Sequence, residues 1–573
     1  MSYTEFLRQV PVLAGLPDRL LDQVGKEARE HSLTAGDWLF HEGDDAESLF
    51  VIRSGRMEVV DEGPPETLIR VLRRGQVLGE LALLQAGTRS ASVRARRDSS
   101  LLELDRERFE RLIHDEPAFA IGLTRTLGAQ LAASRAPMSG VSPRQTIAVV
   151  PVSSSAPAAE VADLLSDGLA EAGRVGRLSE NGDRTHSEMR EALDTAEETE
   201  DHVLLVAGSC DMHDPWTAFC LGEADLILAI TDGPPERAWL DQPFALHGCE
   251  LIVLARSVDS ECLVRVEPAQ VQVIADRDQL PDRMMSTARR IAGRSVGVVL
   301  SGGGARAFAH LGVVEELVGA GIKVDRIGGV SLGSIVAAAI AIGLEPDAIM
   351  ERFEAGFVQV NPTGDFTIPL FALIRGRRTR ELLDRYYGEY RIEELERRFF
   401  CLSCDLIGRE AVVHQAGNLA DAVRASLSIP GVFPPIPTPD GRLLVDGGVI
   451  DNLPVATMAQ TGEGPVIAVD VTGHQGAGFQ APTRPGLARY QGAMRRFLTG
   501  NEERIPRLGE TIVRTVTVGS IDTIAAAEAH AALVIRPRVD GVGLLDWRRL
   551  DHVREAGREA AREALADLPE SIR

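Results

Sequence analysis

The stretch Ser295-Val296-Gly297-Val298-Val299-Leu300-Ser301-Gly302-Gly303-Gly304-Ala305-Arg306 decides the fold, together with Gly329-Val330-Ser331-Leu332-Gly333. The first is an apolar, valine-rich run before three glycines, the pattern of a buried strand entering a tight turn. Alanine and leucine recur at helical spacing through Val318, so a helix follows the glycines. Backbone N–H groups at such a helix start have no partner inside the helix and attract negative charge. The second stretch lies between Val324-Asp325-Arg326-Ile327 and Ile335-Val336-Ala337-Ala338-Ala339-Ile340, again strand, sharp turn, helix. In that setting G-x-S-x-G reads as a nucleophile elbow, and the glycines flanking Ser331 remove Cβ atoms where strand and helix nearly collide.

A third piece lies downstream, Leu443-Leu444-Val445-Asp446-Gly447-Gly448, in which a carboxylate ends a short apolar strand. Serine is a weak nucleophile until a base takes its proton, and Asp446 is the candidate base. Acyl transfer builds negative charge on the carbonyl oxygen, and Gly302, Gly303 and Gly304 are the candidate donors to it. Two rivals compete for these residues. Gly302-x-Gly304-x-x-Ala307 followed by Asp325 fits a dinucleotide fingerprint, but Asp325 starts its strand instead of ending it, and Ser331 and Asp446 are left unused. A Ser-Asp-His order is also available, since His474, His530 and His552 follow Asp446 and His310 lies near the glycines; none sits in a local motif.

In this order and these settings, G-G-G-x-R, G-x-S-x-G and D-G-G resemble the patatin-like phospholipases, whose active site is a Ser–Asp dyad without histidine. The resemblance implies Ser331 as nucleophile, Asp446 as base, and Gly302, Gly303, Gly304 and Arg306 as the oxyanion loop. It implies no metal and no cofactor for catalysis.

The chain has 573 residues, enough for three domains. Its 44% hydrophobic and 25% charged residues are globular values. A net charge of −23 argues against nucleic-acid binding, which needs a basic face. It also disfavours electrostatic adhesion to anionic lipid, so membrane contact is expected to be local and apolar. The six cysteines show no regular framework, which suits a reducing compartment. Cys401-x-x-Cys404 has no second pair at zinc spacing and lies in an apolar run, so both read as core residues. No signal peptide is readable at Met1-Ser2-Tyr3-Thr4-Glu5. The longest apolar helical stretch, near 335–344, is shorter than the roughly 20 residues that cross a bilayer. The expectation is a cytoplasmic protein that is peripheral at a membrane surface only transiently.

Residues 1–135 begin with helical patterns, then change from His31 to Leu104 to short alternating strands punctuated by glycine, the mark of a small barrel or jelly roll. Inside it, Gly79-Glu80-Leu81-Ala82-Leu83-Leu84 and Thr88-Arg89-Ser90-Ala91-Ser92 combine a short helix start with one arginine, a cradle for phosphate, while Glu80 can accept from sugar hydroxyls. This stretch resembles the phosphate cassette of cyclic-nucleotide-binding domains, closest to cyclic-AMP binders. The resemblance implies a pocket of Gly79, Glu80, Leu81, Ala82, Arg89 and Ser90, with Arg89 on the cyclic phosphate, Glu80 on the ribose 2′-hydroxyl, and cyclic AMP as an allosteric ligand. The other reading is a cassette kept as scaffold.

Small residues, Gly and Pro at 133–143 mark a link, and no helix-turn-helix follows it. Residues 144–290 alternate strands and helices as a parallel-sheet α/β linker domain, without a G-K-[ST] phosphate loop. The patatin-like hydrolase domain then spans 294–573. In it, Phe366, Ile368, Pro369, Leu370 and Phe371 precede Arg375, Arg377, Arg378 and Arg380, either a lid facing acyl chains or a packed loop with a basic edge. The order barrel, α/β linker, hydrolase resembles the neuropathy target esterase group of lysophospholipases, from which this chain departs in having one barrel and no transmembrane segment. The whole is expected to be a multidomain serine ester hydrolase acting on lysophospholipid or phospholipid. A neutral-lipid or small-ester hydrolase without nucleotide response, and a non-enzymatic nucleotide sensor, are the alternatives.

Overall fold

A computed structural model describes residues 6–472 and 527–572, apart from 125–144 and short stretches at 9, 14, 35, 63–66, 85–86, 117–118, 121, 181, 183, 242–245, 247, 257–259, 369–371, 528 and 545. The 133–143 link and His474 lie outside the described residues. The chain divides into two compact units, Met1–Ser139 with Pro143–Gln270, and Gly140–Ser142 with Val271–Arg573.

The first unit opens with a barrel built on two long antiparallel strands, Ser48–Asp61 and Ser92–Asp105, bent by register shifts around Ser54 and Arg56. Arg29–Leu33 and Trp38–Phe40 pair with Ser92–Asp105, while Thr67–Arg73 and Val77–Leu78 pair with Ser48–Asp61. Side chains alternate across a strand, and here the alternation feeds two cores. Phe50, Ile52, Val93 and Leu101 form one cluster inside the barrel strands. Leu49, Val51, Leu102 and Leu104 join a second, which takes in Leu21 and Val24 of the helix Asp18–Glu27 and Phe109 of Arg106–Asp115. The five-residue helix Glu80–Leu84 follows directly on Val77–Leu78.

The α/β segment of the same unit carries parallel strands in the spatial order Glu250–Val253, Leu226–Thr231, Gln145–Pro151, His202–Val206, Val175–Ser179. Ile147, Ala148, Val149, Leu204 and Leu205 are fully buried, as in a sheet covered by helices on both faces.

The second unit is organised on a mixed sheet. Leu443–Asp446, Arg398–Asp405, Val324–Val330, Val296–Leu300, Val466–Val469 and Leu533–Ile535 lie side by side in that order. The strands from Arg398–Asp405 to Leu533–Ile535 run parallel, and Leu443–Asp446 returns antiparallel against Arg398–Asp405. Helices Ala309–Gly319 and Leu332–Ala341 contribute Leu311, Val313, Ile335 and Val336 to the buried core. The register sets Leu402 beside Val330 and Ser403 beside Asp446, so the strand leading to Ser331 and the strand bearing Asp446 finish at the same end of the sheet. Helix Leu280–Ile291, grouped by sequence with the α/β linker, belongs to this second unit.

Candidate active site and nucleotide pocket

Ser331 joins the Val324–Val330 strand to the Leu332–Ala341 helix with φ 53° and ψ −131°. A non-glycine residue held outside the usual regions costs about 1–3 kcal/mol and persists only where its surroundings fix it. They do so here. The Ser331 N–H donates to Ser426 Oγ at 3.0 Å, and its carbonyl accepts from Ser334 Oγ at 2.6 Å and from the Ser334 N–H at 3.0 Å. A Cβ on Gly329 would stand 2.7 Å from the Gly333 carbonyl carbon, and one on Gly333 would stand 2.5 Å from the Ser301 oxygen. Only glycine fits at either position.

Asp446 is 4% exposed. Its carboxylate accepts hydrogen bonds from the Ser331 hydroxyl and from the Gly448 N–H, the latter at 2.8 Å. Burial disfavours the charged form and pushes the carboxyl up to about 6, against the lowering effect of these two bonds. Such a group is ionised at neutral pH yet basic enough to accept a serine proton. The Asp446 N–H is held by the Ser428 carbonyl at 2.9 Å.

The glycine loop is pinned from two sides. The Gly302 N–H donates to the Asn452 carbonyl at 3.3 Å, and Asn452 Nδ2 donates back to the Gly302 carbonyl at 3.2 Å. A Cβ on Gly302 would meet Asn452 Oδ1 at 2.5 Å and Ser331 Cβ at 3.1 Å, so this glycine lets the loop lie against Ser331. With its N–H spent, Gly302 is not the free donor that the sequence suggests. The N–H groups of Gly303 and Gly304 have no hydrogen-bond partner among the described residues. Arg306 also has a different part from the one that its motif implies. Its guanidinium donates to the carbonyls of Val542 at 2.8 Å and Thr472 at 3.3 Å, which anchors the loop.

The rival readings find no support in the geometry. Asp325 is held by Arg289 at 2.6 and 2.9 Å and by Ser286 at 2.8 Å, a structural ion pair. His310 is fully buried, and burial pushes its imidazole down to about 4, so it is neutral and its Nε2–H donates to the Ser301 carbonyl at 2.8 Å. It supports the glycine loop from behind. His530 and His552 are exposed, whereas Asp446 is buried. Cys401 and Cys404 are free, buried strand residues. Asp405 caps a turn, accepting from the N–H groups of Ile407, Gly408 and Leu443 at 3.0, 3.1 and 3.0 Å.

Away from Ser331 and Asp446, Phe366 and Ile368 are exposed, at 71% and 76%. Residues 369–371 lie outside the described residues. The same strip is tied to the segment that follows Ser428: the N–H groups of Leu373 and Ile374 donate at 2.9 Å to the carbonyls of Gly431 and Val432. Arg375, Arg377, Arg378 and Arg380 are exposed, with Arg377 and Arg380 near Glu381 and Asp384.

In the first unit, Gly79, Glu80, Leu81, Ala82, Arg89 and Ser90 line one pocket with Phe40, Leu78 and Val93. Glu80 and Arg89 are 1% and 5% exposed. Gly79 has φ +84°, and a Cβ there would collide with the Arg89 guanidinium. That guanidinium lies over the Phe40 ring, 4.1 Å from its centre, and donates weakly to the Gly79 carbonyl at 3.4 Å. Arg89 Nε is buried without a hydrogen-bond partner among the described residues. Burial holds this guanidinium below its ordinary value, while Asp44, Glu103 and Glu80 favour its charge. A buried cation with an unused donor suits an anion, and Glu80 in the same lining suits hydroxyls. Sequence reasoning found the arginine and the glutamate but missed Phe40, forty-nine positions before Arg89. It also missed Ser426, whose contact with Ser331 crosses 95 positions.

Residues 298–459 match the family described as patatin-like phospholipase, and residues 30–116 match the cyclic nucleotide-binding domain. A Mycobacterium tuberculosis protein described as an uncharacterized NTE family protein is 35% identical over 99% of this chain and 97% of its own length. The lysophospholipase NTE1 of Coccidioides immitis is 26% identical over 94% of this chain, which spans 40% of that fungal protein. Among solved structures, the catabolite activator protein of Thermus thermophilus is 30% identical over 22% of this chain and 59% of its own, with a TM-score of 0.21.

Proposed function

The chain belongs to the NTE family and carries both a patatin-like phospholipase domain and a cyclic nucleotide-binding domain, and on that premise we propose that it is a serine lysophospholipase or phospholipase under cyclic-nucleotide control. One observation carries the chemistry: the Ser331 hydroxyl is hydrogen-bonded to a buried carboxylate, Asp446, that burial has made more basic. Ser331 Oγ attacks the ester carbonyl carbon as its proton passes to Asp446. The N–H groups of Gly303 and Gly304 receive the oxyanion. The carbon–oxygen bond to the glycerol side then breaks, the leaving oxygen takes the proton from Asp446, and Ser331 is left acylated. Water attacks this ester, gives its proton to Asp446, and releases the fatty acid; the proton returns to Ser331. Every step uses groups of this chain and water.

Cyclic AMP is the proposed ligand of the barrel pocket, with Arg89 turning from the Gly79 carbonyl to the cyclic phosphate and Glu80 accepting from the ribose 2′-hydroxyl. We place the protein in the cytoplasm and make its membrane contact transient, through Phe366 and Ile368. Among the described residues, no helix is long and apolar enough to cross a membrane. Cosedimentation with phosphatidylcholine vesicles should fall in F366D/I368D; equal sedimentation of wild type and variant contradicts the contact.

The test of substrate and control compares release of fatty acid from lysophosphatidylcholine, a diacyl phospholipid, a triacylglycerol and a p-nitrophenyl ester, each with and without cyclic AMP. Preference for the phospholipids together with a rate change on adding cyclic AMP supports the proposal. Preference for the triacylglycerol or the small ester, with no nucleotide effect, contradicts it.

A further inference from the structure

Ser331 and Asp446 reach each other from two strands that are not neighbours, since Arg398–Asp405 lies between them. A hydrogen bond across that gap needs something that fixes both ends. The Leu419–Ser426 helix supplies it where it stops. Ser426 is fully buried, and its Oγ accepts the Ser331 N–H at 3.0 Å. Two residues on, the Ser428 carbonyl accepts the Asp446 N–H at 2.9 Å. Ser428 is itself 3% exposed, and its hydroxyl donates back to the Arg424 carbonyl at 2.9 Å, which fastens the end of the strap to its own helix. Leu427, between them, packs in the same core as Leu332 and Ile335 of the nucleophile helix. Three consecutive residues therefore hold the backbone of the nucleophile and the backbone of the base.

We propose that Ser426-Leu427-Ser428 is a positioning strap that sets the distance and orientation between Ser331 and Asp446. Ser426 is its specific part, because its bond is made by a side chain and no other residue type at that position offers an oxygen on so short a stem except threonine. Ser331 is the N-cap of its helix, a position whose N–H has no partner in the helix ladder, and a buried N–H without a partner is costly. Ser426 satisfies that donor and so holds the elbow in the conformation that aims the hydroxyl at Asp446. It touches neither substrate nor reacting atom and acts through Ser331.

The inference rests on the Ser331–Asp446 dyad, and the test separates the two. The probe is a fluorophosphonate ester, in which serine oxygen bonds to phosphorus, the P–F bond breaks, fluoride leaves, and the serine proton passes to the base. Labelling of wild type is measured first, with S331A as the blank. Labelling that persists in S331A overturns the dyad itself. With the dyad intact, S426A should be labelled about a hundredfold more slowly, the cost of an ångström-scale misplacement. In fatty-acid release its kcat should fall by a similar factor while KM stays within about twofold, as for an interaction felt in the transition state alone. Loosening the Ser331–Asp446 bond removes an influence that lowers the Asp446 carboxyl, so the acid limb of the rate profile should move to higher pH. S426T, which keeps the oxygen, should recover most of the rate. Wild-type labelling and an unmoved acid limb in S426A overturn the strap. Should S426A not fold, S426C replaces it: sulfur is a weaker acceptor of similar size, the same slowing and pH displacement are expected, and their absence overturns the strap equally.

Discussion

Ser331 and Arg89 are both buried polar side chains on which a proposed activity hangs, and their surroundings treat them differently. Around Ser331 the turn's N–H and C=O are both bonded, the flanking glycines are packed to contact, and the hydroxyl meets the Asp446 carboxylate. Around Arg89 the pocket holds a cation with one weak bond to a carbonyl, an aromatic face beneath it and a buried Nε without a partner among the described residues. Folding completes the first site, with the strain of the elbow held by the core. The second leaves a buried cation with an unused donor among the described residues, the state that the proposed ligand would complete. Preorganised groups suit catalysis, because nothing has to reorganise at the transition state. A pocket completed by its ligand suits a switch, because the ligand then changes the energy of the protein that holds it.

The sharpest break in this comparison is expected at Asp446. D446N keeps the shape of the side chain and removes the base, and fatty-acid release should fall by about 10⁴-fold. The same variant should be more stable. The folded protein binds the Asp446 proton more tightly than the unfolded chain, so the carboxylate's contribution to stability falls as pH rises from 3.8 to about 6 and stays unfavourable above. Removing the charge should therefore raise the melting temperature at pH 8 and change little at pH 3, read by calorimetry. A variant that loses activity and also stability at pH 8 contradicts a site held together at such a cost.

At the other site, R89Q should weaken cyclic AMP by about 100-fold, the loss of a charge-assisted contact, with basal ester hydrolysis unchanged. Calorimetric titration reads the first and fatty-acid release the second. Equal affinity in wild type and R89Q would make the cassette a scaffold. A smaller difference separates the two sites by pH. Hydrolysis should fall about tenfold per unit below pH 6, where Asp446 takes up its proton, whereas binding of cyclic AMP should be flat between pH 5 and 8 because arginine stays charged. A rate profile flat down to pH 4 would exclude Asp446 as the base. The smallest effect is expected for F40A, which should weaken cyclic AMP by about fivefold through loss of the ring under Arg89.

Much of both candidate sites was legible because the chemistry proposed for them calls for particular residue types at short spacing. A serine in a strand-to-helix turn needs glycine on both sides, and Gly329, Ser331 and Gly333 stand two apart. The adjacent Gly79 and Glu80 are likewise a local signal, as is the period of two that feeds the barrel's interior. What was hidden depends on partners chosen by the fold and not by local geometry. Any residue could supply the Leu544 carbonyl that takes the Ala305 N–H at 2.8 Å, so no pattern marks it. Ser426 reads as a polar residue in a short helix until the sheet brings it under Ser331. Arg306 was placed with the oxyanion by its neighbours in sequence, but its side chain reaches chain that comes more than 160 positions later. The α/β segment gave its fold through alternating buried strands and gave no chemistry, since no loop in it carries a motif that one reaction requires.

Everything proposed for the second unit depends on Ser331 being the nucleophile of a lipid ester hydrolase. That role is tested most directly by fatty-acid release from lysophosphatidylcholine, wild type against S331A, with both proteins shown to be folded by circular dichroism. Release by the wild type that falls to the uncatalysed rate in S331A is the expected result. Release that survives in S331A would contradict the dyad.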